Sequence, residues 1–234
     1  MSERENLFQP IHKGIRSMLY ELGRQSQITN FADATEADRF ARALKHDLGD
    51  SLSNCILCLL RVHSGHEEAD IFRKLRAHDP DVIDLVVKEH AEVARRIHHV
   101  SRTCDEILAL TSPAHRIEAG DRLNLELNDL FVFYLAHLNN EDATLVPVMW
   151  ERFTDEQLRA MRNQFYGSLP LRLFETWMHW TLPSLNQHEL LVLYSGLRTD
   201  PEGSRFKDWA RLARETLDSS RLRILEEEVG LGVA

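Results

Sequence analysis

The chain has little of what breaks helices or staples small folds: its 234 residues include only 10 Gly, 7 Pro and 3 Cys. So few Gly and Pro, beside a rich supply of Leu, Ala, Glu and Arg, suit helices better than a sheet with many tight turns. Three cysteines make no disulfide framework and fit a reducing cytoplasm. Cys55-x-x-Cys58 lies among Ile56, Leu57, Leu59 and Leu60, with no second Cys pair to complete a zinc site. Both therefore read as small core residues. The longest apolar runs, around 55–60 and 130–136, fall far short of the ~18 residues that span a bilayer. The opening Met-Ser-Glu-Arg-Glu-Asn is charged and no apolar run follows, so it is no secretory signal. A net charge of −9 without any Lys/Arg run excludes a nucleic-acid footprint.

What is present has helical periodicity. Pro10 opens a segment with Ile11, Ile15, Met18, Leu19 and Leu22 on one stripe, and His12 on or beside it. After a polar break at 26–34, Thr35-Glu-Ala-Asp38 resembles a capping box, and a helical pattern runs to about Ala77 with Gly49 and Gly65 as bends. Asp79-Pro80 is a cap and first-turn proline for a third helix through Val86, His90, Val93, Ile97 and Val100. A fourth runs from about 116 or 121 to Val146, where Pro147 ends or kinks it. Four long amphipathic helices without a strand pattern predict an all-α, antiparallel four-helix bundle over 1–150. The remainder, 151–234, reads as a helical extension packed on the bundle or at an oligomer interface. It has capping boxes at Thr154-x-x-Gln157 and Asn186-x-x-Glu189, an aromatic stretch with Trp177 and Trp180, a turn at 200–203 and a last helix over 206–229.

One local pattern occurs twice. His63-Ser-Gly-His-Glu67-Glu68-Ala-Asp-Ile-Phe matches His137-Leu-Asn-Asn-Glu141-Asp142-Ala-Thr-Leu-Val: His, three residues, Glu, a second acid, Ala, one polar and two apolar residues. With 12 His and 37 acids in the chain, chance places an acid four after a His about twice, so the spacing alone proves little. The other two such pairs, His46/Asp50 and His66/Asp70, lack the shared continuation. Residues four apart lie one turn above each other on a helix, so each copy aims one imidazole and one carboxylate at the same place.

His12 and His90, on the first and third helices, complete a candidate set of His12, His63, Glu67, His90, His137 and Glu141. Imidazole nitrogens with carboxylate oxygens suit iron, manganese or zinc, and the absence of Cys argues against iron–sulfur chemistry. Six ligands exceed one tetrahedral zinc and fit two metals that share the glutamates as bridges. The ferritin-like alternative needs Glu three residues before His, which none of the 12 histidines has. Glu68, Asp70 and Asp142 are candidate acceptors for the far nitrogens of bound imidazoles, and Tyr134, three before His137, could bring a hydroxyl to the site. His66, about 60° off the line of His63, reads as a bystander.

His12-Lys-x-Ile-Arg, His63-x-x-x-Glu67-Glu68-x-x-Ile-Phe, Glu89-His90 and His137-x-x-x-Glu141-Asp142-x-x-Leu-Val-Pro147 together resemble the hemerythrin family in its bacterial HHE cation-binding form. The resemblance covers about residues 7–150. It implies two iron ions in the bundle that bind dioxygen, nitric oxide or a peroxide, or that sense iron or oxygen. Oxygen-carrying members have another His four residues after the third-helix ligand; here that position is Ala94, which leaves one metal a protein ligand short of that pattern. No nucleophile–base pair or phosphate loop is legible, so binding, sensing or scavenging is expected rather than catalysis on an organic substrate. The alternative is a regulatory module whose stability or assembly follows metal occupancy, with Trp177 and Trp180 as a docking surface and a homodimer through that aromatic region.

Overall fold

The computed structural model describes residues 4–45, 56–199 and 205–231; the expected bend at Gly49, the His46/Asp50 pair, Cys55 and the turn at 200–203 lie outside them. Every regular element among the described residues is a helix. These are α1 (Gln9–Ile28), α2 (Ala34–Lys45), α3 (Ile56–His66), a π-helical stretch (Glu67–Phe72), α4 (Arg73–Leu75), α5 (Pro80–Ala109), α6 (Pro113–Arg152), α7 (Asp155–Ser168), α8 (Leu171–Ser184), α9 (Gln187–Arg198), α10 (Phe206–Thr216) and α11 (Ser219–Glu228). None is long and apolar enough to cross a membrane.

The chain divides into two compact units, residues 18–144 and residues 1–17 with 145–234. The sequence reading placed everything up to 150 in one bundle, whereas the first 17 residues group with the C-terminal helices. The larger unit is a helical bundle. Its stripes are those of the periodicity: Met18, Leu19 and Leu22 of α1, Ile83, Val86, Val93, Ile97 and Val100 of α5, and Leu123, Leu127 and Leu130 of α6 are all buried. α2 packs on α5 and on α3, and α3 on α5. The buried Arg116 closes the α5–α6 connection by donating to the carbonyls of Leu110 (3.1 Å), Thr111 (3.0 Å) and Ala32 (2.9 Å). Several local details differ from the expectations. The cap of α2 is Asp33, whose Oδ1 accepts from Thr35 (2.7 Å) and Glu36 (3.1 Å), two residues before Thr35, and Glu36 accepts from Asn30 N–H, so no box forms there. Asp79 stands at the N-cap of α5 without a side-chain cap bond. Shortly after Gly65 the helix changes to π-helical pitch at Glu67. Cys58 is half-buried and disulfide-bonded instead of a reduced core residue; Cys104 is a buried free thiol, which burial pushes up to about 12.

In the other unit the two capping boxes form as read, with Thr154 accepting from Gln157 N–H at 3.3 Å and Asn186 from Glu189 N–H at 2.9 Å. Pro147 does not end α6, which runs 40 residues to Arg152. Proline removes one hydrogen bond, and burial of Leu145, Val146 and Met149 on either side of it holds the helix together. The last expected helix is two, because Asp218 caps a new start by accepting from Ser220 and Arg221 at 3.0 Å. Trp177 is 2% exposed and Trp180 half-buried, so Trp177 belongs to the core and not to a docking surface. Tyr166, Phe174, Tyr194 and Trp209 pack edge to face around Trp209.

Candidate metal centre

Within the unit 18–144 the repeated pattern does what its spacing requires. On α3 and the turn that follows it, His63 Nε2 stands 3.2 Å from Glu67 Oε1; on α6, His137 Nε2 stands 3.5 Å from Glu141 Oε2. His90 of α5 enters between them, its Nε2 3.4 Å from Glu67 Oε2 and 3.4 Å from Glu141 Oε1. Each glutamate therefore presents one oxygen to one imidazole and the other oxygen to a second. All five residues are at most 4% exposed.

Glu67, His90, His137 and Glu141 each offer one donor atom within 4.8 Å of the others, and so do His63, Glu67 and Glu141. Donors about 2.1 Å from a shared metal stand roughly 3–3.4 Å apart, close to the N···O separations found here. Nε2 of His90 and of His137 are buried with no close protein partner, the carboxylates of Glu67 and Glu141 standing 3.4–3.5 Å away. Buried polar atoms left so are costly and rare. A cation among them satisfies nitrogens and carboxylates together, so the residues fit a metal.

Aromatic rings wall the pocket. Phe72 stacks on His90 with ring centroids 5.4 Å apart, Tyr134 meets His137 edge-on at 5.7 Å, and the two imidazoles are 4.9 Å apart. Burial pushes Tyr134 well above the usual phenol range, and the charges of Glu67 and Glu141 push it further; its hydroxyl lies beside Ser64. Burial opposes charge on His90, but Glu141 and Glu67 outweigh it and raise its pKa to about 10. In the metal-free chain a proton on His90 is thus the cation that these carboxylates hold.

Of the four expected supporting residues, two reach the site. Glu68 Oε1 accepts from His90 Nδ1 at 2.8 Å, and Tyr134 lines the wall. Asp70 lies by His66, whose pKa burial lowers against the pull of Asp70 and Glu67. The far nitrogen of His137 is held not by Asp142 but by Glu89, at 2.9 Å, and Asn140 Nδ2 donates to the other Glu89 oxygen at 3.0 Å. In the sequence Glu89 stands out only as the neighbour of His90, because its partner lies 48 residues away. Ala94 is exposed, so that position does not face the site. His98 and His99 are exposed. His12 is fully buried in α1, with Phe8 at 5.3 Å between ring centroids, in the other compact unit.

Likeness to known proteins is distant. A BRUTUS-like zinc finger protein of Arabidopsis thaliana is 24% identical over 181 residues, which is 76% of this chain and 14% of that protein. A match of that span must pass residue 150 into the C-terminal helices. No family model and no solved structure matches the chain.

The donor set can hold metal ions. It is nitrogen-rich, contains no thiolate, and is shut off from solvent by the walls just described.

Proposed function

We propose that the chain is a hemerythrin-like, non-haem di-iron protein that binds, senses or scavenges a small oxidant such as dioxygen, nitric oxide or a peroxide. The observation that carries this reading is the pair of buried Nε2 atoms, on His90 and His137, facing glutamates that each address two imidazoles. His90, His137, Glu67 and Glu141 would hold one metal; His63, Glu67 and Glu141 would hold the second, with His12 proposed as its further ligand from the sequence. Manganese or zinc suits the same donors.

Bound iron would supply the electrons and the open coordination position by which such a centre captures a small oxidant. The chain's residues do the rest. Glu67 and Glu141 can bridge, because their paired oxygens already face different imidazoles. Glu68 and Glu89 accept from Nδ1, which fixes the tautomer that leaves the Nε2 lone pair inward. Phe72 and Tyr134 keep out water, and burial holds the Tyr134 hydroxyl, beside Ser64, protonated. With two carboxylates among the ligands, the site favours binding over oxidation of an organic substrate.

The test is anaerobic Fe(II) loading with elemental analysis, followed by absorption spectra before and after air, azide and nitric oxide. Two irons per chain with charge-transfer bands that shift on azide support the reading, and His137→Ala should take up about one equivalent less. Clearly less than one iron per chain defeats it. A second reading, in which metal occupancy controls stability or assembly, draws support from the buried carboxylates and from likeness to part of a much longer zinc finger protein. A melting temperature and oligomeric state indifferent to chelator would count against it.

A further inference from the structure

Two walls of the donor pocket are regular helices. His90 lies within the 30-residue α5, and His137 and Glu141 within the 40-residue α6. The wall that carries Glu67 is different: α3 ends at His66, and a π-helical turn of six residues, Glu67–Phe72, follows it. Residues five apart stand about 140° from each other on an α-helix, but nearly in line on a helix bonded i to i+5. The π pitch therefore lets Glu67 and Phe72 face inward together, and both are at most 3% exposed. Glu67 Oε2 stands 3.4 Å from Nε2 of His90, and Phe72 stacks on the same ring, 5.4 Å between centroids. Glu68 and Ala69, between them, are exposed. One layer of chain thus separates His90 from solvent here, and loss of its pitch takes Phe72 off the ring.

The residues before this turn weaken the helix further. Gly65 is exposed, a Cβ there would meet nothing within 4 Å, and its φ is not positive. Neither packing nor backbone angle calls for glycine, which lowers helix stability all the same. Ser64 turns its hydroxyl back on the carbonyl of Leu60 at 3.4 Å, a bond that slightly destabilises and bends helices. On the far side, the three residues of α4 lead straight into the turn at 76–78. The donors themselves are buried, so an ion reaches them only when a wall opens. Walls open first where the helix is least stable.

Resting on the metal-centre reading above, we propose that residues 64–72 are the door of the pocket. Local unwinding of the π-helical turn admits and releases the metal ion while α5 and α6 stay folded.

The experiment loads the full chain with Co(II) anaerobically, follows visible absorption, and measures uptake and then release to excess chelator. Gly65→Ala, which favours the closed helix, should slow both rates about two- to fivefold, the factor by which alanine exceeds glycine in a helix. Ala69→Gly, at an exposed position of the π-helical turn, should speed both by a similar factor. Because opening gates both steps, the Kd of each variant stays that of the wild type. Ala94→Gly makes the same loss at an exposed position of α5 and should leave both rates alone. Hydrogen exchange gives a readout in the wild type itself: amides of 65–72 should exchange faster than those of 86–97, and slow once cobalt is bound. Rates indifferent to Gly65→Ala and Ala69→Gly, or raised as much by Ala94→Gly, overturn the door and leave the metal centre standing. So does exchange in 65–72 no faster than in 86–97. A wild-type chain that takes up neither cobalt nor iron overturns the metal-centre reading, and this proposal with it.

Discussion

Glu141→Gln separates a ligand from an ordinary buried ion-pair partner, because the two roles give opposite signs. Glu141 has no exposure, and Glu67 nearly none. In the metal-free chain both face His90, whose pKa of about 10 keeps it protonated near neutrality. Both carboxylates face that one proton, so removing the charge of either relieves like-charge repulsion between buried groups. Glutamine fills the same volume and still offers an oxygen 3.4 Å from His90. The metal-free variant should then stay within about 1 kcal/mol of wild type or exceed it, whereas breaking a true buried pair costs about 3–5 kcal/mol. With metal the order reverses. One site at free metal 100 times its Kd stabilises the wild type by about 2.7 kcal/mol. For a chain of this size that raises Tm by about 5–11 °C, at roughly 2–4 °C per kcal/mol. The variant should lose most of that increment. Calorimetry with anaerobic Fe(II) or with chelator measures both arms. A metal-free variant that melts more than about 6 °C below wild type, or one that keeps the full metal increment, refutes the reasoning.

Other outcomes follow from the same geometry. His90 has a folded-state pKa of about 10 against an ordinary 6.5, so the folded metal-free chain holds the extra proton. The stability it contributes is complete below pH 6.5 and is lost as pH rises towards 10. Urea midpoints of the metal-free chain should fall across that window and those of His90→Gln should not; a flat wild-type profile counts against the proton on His90. A Cβ on Gly120 would stand 2.3 Å from Phe31 Cγ. Gly120→Ala should therefore lose up to about 2 kcal/mol, since overpacking of about 1–3 kcal/mol is set against a helix gain of about 1. Nothing lies within 4 Å of a Cβ on Gly65, and Gly65→Ala should gain about 0.5–1 kcal/mol; equal urea midpoints for the two variants would show that the Phe31 contact yields freely.

The sequence made legible whatever repeats within a turn or two of one helix. His63 with Glu67, and His137 with Glu141, are i,i+4 pairs, and four residues on a helix is a distance that chemistry can use. The buried stripes of α1, α5 and α6 came from the same periodicity, and the two C-terminal capping boxes from their three-residue spacing. Contacts across helices were not legible. Glu89 and His137 are joined over 48 residues, and no spacing rule distinguishes that acid from the others. The continuation of α6 through Pro147 was also hidden: proline's local cost is fixed, but the burial of Leu145, Val146 and Met149 that outweighs it is a tertiary fact. Asp33 displaced Thr35 as the cap of α2 because cap choice depends on where the chain enters the helix, and a two-residue shift leaves the periodic pattern behind it unchanged.

The two copies of the motif are alike in sequence and unlike in structure, and the difference explains how the pocket is held. In the first copy the acid after the ligand, Glu68, serves a ring on another helix; it does so from a stretch of π-helical pitch, a feature that often marks functional positions. The second copy, on the regular helix α6, leaves the far nitrogen of its own His137 to Glu89 of α5. The contacts therefore pass from the π-helical stretch to α5 and from α5 to α6, each imidazole being fixed by a carboxylate that its own helix does not supply. A ring held from a neighbouring helix keeps its orientation only while the helices keep theirs. Docking of the bundle and aiming of the donors are then one event, and whatever binds at the inward nitrogens stabilises the packing of three segments at once.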